Sequence, residues 1–150
     1  MDTTKLKAGY IFVVKIANFY VAGLIVRLSK NIALLYFYNK KFKTVPAKND
    51  FYISDYKVCY ISRASTLGLK NGAWKILFPL DAFDKSKWEI PVFIRKDVLD
   101  KSLRKIYYYE NLKEVNDQYV KKGENVKGLP EDGLAGYVYV ENVLEKIFLK

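Results

Sequence analysis

The chain has 150 residues, of which 51% are hydrophobic, and it carries a formal net charge of +10. This length suits one domain with a sizeable core, and the apolar content argues against intrinsic disorder. The sequence has no histidine and one cysteine, which excludes Ser-His and Cys-His catalysis, histidine-bound metals and internal disulfides. We therefore expect residues 1–150 to form a single domain, and any enzyme chemistry would depend on carboxylate, lysine, tyrosine or serine side chains.

The first forty residues predict three strands joined by short turns. Residues 9–16, 19–28 and 32–38 are rich in aromatic and β-branched side chains, and the first segment is apolar enough to be buried on both faces. Gly23 lies inside the second segment and predicts a bulge or bend there. The pattern predicts a strongly bent antiparallel sheet or a small, partly open barrel.

The N-terminus also bears on where the protein resides. An apolar run over residues 8–14 is interrupted by Lys15, so this region predicts a first strand rather than a signal peptide. No stretch approaches the roughly 20 apolar residues of a membrane-spanning helix. Cys59 falls within another strand-like segment and is expected to be a small buried residue. These features favour a cytoplasmic protein.

The middle of the chain alternates strand-like and polar segments. Four segments predict further strands: 51–63, 73–78, 91–94 and 105–110. Pro91 places the third of these at a sheet edge, because proline cannot donate a ladder hydrogen bond. Residues 39–50 predict a lysine-rich surface loop and residues 97–104 a brief helical turn, whereas residues 111–127 are polar and show no clear period.

The closing stretch, residues 128–150, joins a glycine-rich loop to the clearest amphipathic segment. One helical face is predicted to be buried, and its members are Val140, Val143, Leu144, Ile147 and Phe148. Asp132 could cap this helix or supply an anion to its first turn. The chain as a whole therefore predicts an α+β fold, mostly β, with a C-terminal helix packed on the sheet.

The positive charge suggests an anionic partner, which leaves a nucleic-acid or other anion-binding module as an alternative function. Only four of the 26 basic residues are arginines, whereas proteins that read bases and phosphates favour the arginine fork. The lysines are also dispersed along the sequence. Nucleic-acid binding is therefore the less favoured reading, and any such binding should be weak and lost steeply with salt.

Several polar and aromatic residues are candidate site residues. The acidic pairs Asp81 with Asp84, Asp97 with Asp100, and Glu131 with Asp132 match no calcium loop and are expected to be solvated loop or cap residues. Trp74 alternates with Ile76 and Phe78, which favours a core position. Trp88 is flanked by charged residues, and it could equally contact a partner or cover the core.

Three parts of the chain together resemble the immunity protein 26 family of bacterial polymorphic toxin systems. They are residues 9–16 with the Gly23-bearing second strand, residues 74–80 with residues 91–93, and residues 129–136 leading into the final helix. The last, Leu-Pro-Glu-Asp-Gly-Leu-Ala-Gly, is the most specific. The resemblance implies a largely β, cytoplasmic protein that binds and neutralises a cognate toxin domain.

The same family is also labelled phosphotriesterase-like. Hydrolases of organophosphates usually hold paired metals with histidines, which this chain lacks, so we expect no enzymatic activity, no metal and no cofactor. An inhibitor of a basic nuclease is expected to be acidic, so either the toxin is not a basic nuclease or the contact uses a local acidic patch. We expect Trp88, Glu131 and Asp132 to contact the toxin, with a purely structural turn as the alternative for the two acidic residues.

Overall fold

The structure, a computed structural model, describes residues 6–149. Within these residues the chain forms nine strands and two α-helices. In chain order they are β1 (Tyr10–Ile16), β2 (Phe19–Ser29), β3 (Ile32–Tyr38), β4 (Val58–Ser65), α1 (Leu67–Lys70), β5 (Lys75–Pro79), β6 (Phe93–Lys96), β7 (Leu103–Tyr108), β8 (Glu114–Tyr119), β9 (Leu134–Ala135) and α2 (Tyr137–Phe148). The predicted fold class, α+β and mostly β, is confirmed.

The main sheet has six strands in the order β5-β1-β2-β3-β4-β9, and a second sheet has the order β6-β7-β8. The first three strands of the chain form the predicted antiparallel meander, and β4 extends it. Only β9 runs parallel to its neighbour β4. The main sheet is open, with β5 and β9 at its edges, and does not close into a barrel.

Both faces of the main sheet are covered, which explains why its strands are apolar almost throughout. One face packs against α2 and Trp74, and the other packs against the second sheet and the loops around Phe51. In β1 the four consecutive residues from Ile11 to Val14 are at most 2% exposed. Trp74 is 1% exposed, so its predicted core position is confirmed.

Gly23 serves a different purpose from the bulge predicted for it. The register irregularity in β2 falls between Ile25 and Arg27 instead. A Cβ at Gly23 would lie 2.4 Å from Cζ of Phe12, the residue paired with it across the β1–β2 ladder. Glycine is therefore required because the Phe12 ring lies directly on the backbone of β2.

Two predictions in the middle of the chain need correction. Residues 51–57 do not continue the strand of β4; they form a loop in which Phe51 and Tyr56 pack in an aromatic cluster over the second core. Residues 97–101 do close one turn, through a hydrogen bond from Lys101 N–H to the Asp97 carbonyl at 3.1 Å, but β7 then begins at Leu103. In both segments the local pattern predicts a regular element, whereas packing against the rest of the protein determines the conformation of the backbone.

Strand β8 lies in the polar stretch that showed no period. All six of its residues are exposed, so it has no buried face to produce an alternating pattern. It is held by its ladder with β7 and by salt bridges such as Arg104 Nη1 to Asp117 Oδ2 at 2.8 Å. Ladder and ion pairs, rather than burial, define this strand.

Helix α2 is present, but its buried face is narrower than predicted. Val140, Leu144 and Phe148 are buried, whereas Val143 is half-buried and Ile147 is exposed. The helix begins at Tyr137 after Gly136, so the prediction that Asp132 caps it is wrong. The physical reason is that residues 134–135 pair with β4 as β9, which commits their backbone to an extended conformation before the helix can start.

Candidate functional site

Residues 130–135, which we call the clasp, are hydrogen-bonded to both sheets. At one end, Ile94 N–H donates to the Pro130 carbonyl at 2.9 Å and Asp132 N–H donates to the Ile94 carbonyl at 2.8 Å. At the other end, β9 pairs with β4. Gly133 lies between these two pairings with φ +143°, a conformation that favours glycine. The clasp therefore joins the second sheet to the edge of the main sheet.

The Asp132 carboxylate fastens the clasp. Its side chain is 3% exposed, and Arg95 contacts Oδ2 through Nη2 at 2.7 Å and through Nε at 2.9 Å. The Tyr108 hydroxyl donates to Oδ1. A buried carboxylate held by an arginine fork and a phenol is satisfied within the protein, so little of it remains for a partner. Asp132 was expected to contact a toxin, and its observed contacts are with β6 and β7.

Further charged groups surround this carboxylate. Arg95 also contacts Glu114 Oε1 at 2.9 Å, and the hydrogen bond to Glu114, followed by that to Asp132, raises the pKa of the guanidinium against the opposing effect of burial. The Arg63 guanidinium lies 4.5 Å from the centroid of the Tyr108 ring. Asp132 is thus the centre of a network that links β4, β6, β7 and β8.

A groove of about 390 Å³ opens beside the clasp, between β4 and α2. Its lining residues come from β4, from the clasp and the residue after it, and from α2: Tyr60, Ser62, Glu131, Asp132, Gly133, Leu134, Ala135, Gly136, Tyr139 and Val143. Two further concavities, of about 470 and 300 Å³, adjoin it, and Glu131 lines all three. Glu131 therefore lies where the three concavities meet.

Glu131 differs from its neighbour Asp132 in exposure and in partners. Its side chain is exposed, and among the described residues it has neither a salt bridge nor a side-chain hydrogen bond. Burial raises the pKa of the Tyr60 hydroxyl, a hydrogen bond with Ser62 opposes that rise, and the charges of Tyr139 and Glu131 add to it. Glu131, Tyr60 and Tyr139 thus line the same groove.

Core packing fixes both walls of the groove. The Tyr60 ring stacks on Phe37, with centroids 5.6 Å apart and an interplanar angle of 20°. On the other wall, Trp74 Nε1 donates to Glu141 Oε2 at 3.1 Å, which holds the first half of α2 against the core. A Cβ at Gly68 would lie 2.7 Å from the Tyr137 Cβ, so α1 and the start of α2 are in close contact. These contacts preorganise the groove before any partner binds.

Two residues of α2 with a predicted buried position remain accessible, and one of them lines the groove. Val143 lines the groove one turn after Tyr139, and Ile147 follows one turn later with 36% of its surface exposed. Leu134 in β9 is 54% exposed and faces the same groove. An apolar surface therefore adjoins the Glu131 carboxylate.

Trp88 is not among the residues that line this groove. Its ring stacks on Phe83 at a centroid distance of 5.4 Å, and its Nε1 donates to the Tyr38 hydroxyl at 3.0 Å. Trp88 is half-buried and packs on the core between the two sheets. Of the two roles predicted for Trp88, a partner contact or a cover over the core, this packing matches the cover.

Sequence reasoning also missed Tyr60, Ser62 and Tyr139, because nothing in their local sequence indicates that β4 and α2 lie side by side.

The arginines needed for nucleic-acid recognition are engaged within the chain. Arg27, Arg95 and Arg104 each form a salt bridge with a carboxylate, and Arg63 lies over the Tyr108 ring. Three of the four guanidinium groups are therefore paired with carboxylates and less available to phosphate or base edges, whereas Arg63 is held by stacking alone.

Tyrosine burial leads to a prediction for alkaline solution. Burial raises the pKa of Tyr38 from 10.0 to about 12, and burial together with Asp132 raises that of Tyr108 from 10.0 to about 12. Because the folded state holds these protons more tightly, their contribution to stability is complete below about pH 10 and is lost as the pH rises toward about 12. The free energy of unfolding in urea should fall across this window, and less steeply in Tyr38→Phe. Equal slopes for both proteins would contradict the assignment.

Comparison with known proteins adds no relative. No family model, no curated protein and no solved structure matches this chain. Within residues 6–149, no helix has the length and apolar character needed to cross a membrane, and no three acidic or cysteine side chains cluster as metal ligands would.

Proposed function

We propose that this chain is a cytoplasmic immunity protein that binds and neutralises a cognate polymorphic toxin through a stoichiometric protein–protein interaction. The observation that carries the proposal is the groove beside the clasp, whose lining includes the Glu131 carboxylate, a group without a salt bridge to any residue in the range 6–149. The clasp lies within residues 129–136, the segment that carries the most specific part of the resemblance to immunity protein 26. A preorganised groove built from that segment is a suitable contact surface for a protein partner.

The surface around the groove has the composition of a binding site. Leu134, Val138 and Tyr139 are each more than half exposed, and tyrosine is among the residues that contribute most to protein interfaces. A stable complex buries about 800 Å² on each partner, so the groove would form the centre of a larger contact. Protein interfaces commonly have an anchoring centre and a surrounding rim, and apolar and aromatic side chains around one carboxylate match that organisation.

The groove favours binding over catalysis. Asp132 is held by Arg95 and Tyr108, so Glu131 has no second free carboxylate beside it with which to share acid and base roles. Because burial raises the pKa of the Tyr60 hydroxyl, it stays protonated at neutral pH and acts as a hydrogen-bonding group rather than as a base. The residues present can recognise a partner without transforming it.

The proposal predicts that reversing the charge at Glu131 abolishes protection while the protein stays folded. The wild-type chain, Glu131→Arg and Glu145→Arg would each be co-expressed with the toxin domain encoded beside its gene, and survival would be scored alongside a thermal melt. Glu145 is an exposed glutamate on α2 outside the groove, so its variant makes the same change in net charge. Both substitutions should change stability by no more than about 0.5 kcal/mol, because both sites are exposed.

We expect the wild-type chain and Glu145→Arg to protect, and Glu131→Arg to fold but fail to protect. Full protection by Glu131→Arg would place the interface on another surface. Failure of the wild-type chain to protect against any toxin domain encoded nearby would contradict the immunity function itself.

A further inference from the structure

The charges around the groove favour the binding of a cationic group. The chain carries 26 basic residues, yet none of the ten residues lining the groove is a lysine or an arginine. The charge of Asp132 is compensated by Arg95, whereas Glu131 has no salt-bridge partner among the described residues. A partner group placed in the groove therefore meets one free negative charge in a protein that is otherwise strongly positive.

The shape and lining of the groove call for a long side chain with an apolar stem. A volume of about 390 Å³ is room for roughly a dozen water molecules. Leu134 and Val143 provide an apolar surface, and the hydroxyls of Tyr60, Ser62 and Tyr139 provide hydrogen-bond acceptors near the carboxylate. An aliphatic chain that ends in a cationic hydrogen-bond donor satisfies both parts of this lining.

The aromatic walls favour a guanidinium over an ammonium group. A planar guanidinium can stack on a tyrosine ring and donate two hydrogen bonds to a carboxylate at once. The protein already uses this stacking twice, since Arg63 lies 4.5 Å from the Tyr108 ring centroid and Arg104 lies 4.5 Å from that of Tyr119. The ring of Tyr60 is fixed by Phe37, so it offers a rigid platform of the same kind.

We infer that the groove receives an arginine side chain of the partner protein, with its guanidinium at Glu131 and its aliphatic stem along Leu134 and Val143. This inference rests on the proposed function, because it names the group that the toxin would present to the groove. It also resolves how a chain of net charge +10 could bind a basic toxin. The contact uses an acidic groove whose lining contains no lysine or arginine, with Arg95 and Lys96 in the neighbouring concavity.

Binding of a blocked arginine to the purified protein tests the inference without the toxin. N-acetyl-arginine methylamide would be titrated into the isotope-labelled chain and followed by NMR, and the uncharged citrulline analogue would be titrated in parallel. We expect saturable shifts at the amides of Tyr60, Ser62, Leu134 and Tyr139 with the arginine compound alone. In Glu131→Gln its affinity should fall at least about tenfold, since a charge-assisted hydrogen bond is lost while the shape is kept.

The matched variant Glu145→Gln should bind the arginine compound as the wild type does. Equal shifts with citrulline, an unchanged affinity in Glu131→Gln, or shifts that map away from the groove would each overturn the inference. A lysine analogue that binds as tightly would overturn the choice of guanidinium, and much tighter binding of free arginine would point to a small-molecule ligand instead. Arginine binding without protection in the co-expression assay would refute the immunity function while leaving the groove chemistry intact.

Discussion

Removal of residues 128–150 is expected to leave insoluble or molten protein. The deletion takes away Val140, Leu144 and Phe148, each at most 8% exposed. Burying three such side chains contributes about 5 to 9 kcal/mol, which is comparable to the whole net stability of a typical domain, about 5 to 15 kcal/mol. It also removes the clasp and uncovers one face of the main sheet. Solubility, near-ultraviolet circular dichroism and dye binding would report the outcome.

Graded substitutions in α2 keep this prediction testable if the truncated chain cannot be purified. Leu144→Ala empties a fully buried site and should cost about 2 to 5 kcal/mol. Val138→Ala is the matched control, because Val138 is 55% exposed on the same helix and its loss should change stability by no more than about 0.5 kcal/mol. A soluble truncated chain with a cooperative melt, or equal effects of the two substitutions, would show that α2 is not part of the core.

Asp132→Ala is expected to destabilise the protein by about 1.5 to 3 kcal/mol, because it leaves Arg95 and Tyr108 without the acceptor they share. This is more than the cost of about 0.5 to 2 kcal/mol for losing a helix cap, the role predicted for Asp132 from sequence. A double substitution of Glu131 and Asp132 would therefore confound unfolding with loss of binding. Urea denaturation of the single variant measures the effect.

Asp81→Ala provides the control for Asp132→Ala. Asp81 also forms a salt bridge, to Lys48 at 3.1 Å, but its side chain is 83% exposed. A pair of that kind contributes about 0 to 1 kcal/mol. If Asp132→Ala were as mild as Asp81→Ala, the carboxylate would not fasten the clasp. A double-mutant cycle with Arg95→Ala would then measure what coupling remains.

The strands of the main sheet could be predicted from sequence because burial on both faces leaves a strong signal. The first three segments agree with β1, β2 and β3 to within one residue at either end. Strand β8 gave no signal, since all six of its residues are exposed and only its ladder with β7 makes it a strand. Apolar periodicity in a sequence arises from burial. A strand that is held by backbone pairing and salt bridges therefore has no such pattern and is not predicted.

The amphipathic pattern of α2 predicts the helix correctly but not which of its apolar residues are buried. Five apolar residues share one helical face, and the spacing correctly indicated a helix. It could not indicate that the main sheet covers Val140, Leu144 and Phe148, while Val143 lines a groove and Ile147 stays exposed. Hydropathy measures the preference of a side chain for burial, and the neighbouring elements determine whether burial occurs.

Sequence alone determined the α+β class, the meander, the final helix and the absence of histidine chemistry, because each follows from composition or from local spacing. Tertiary structure alone decided that the Asp132 carboxylate is buried and paired whereas that of Glu131 is exposed. These adjacent acidic residues look equivalent in sequence, yet the hydrogen bonds of the clasp with Ile94 turn the Asp132 carboxylate onto Arg95 and leave Glu131 at the groove. The direction of a side chain at a junction between two sheets depends on partners 37 residues away in the chain, as for Arg95 and Asp132, and no local pattern encodes them.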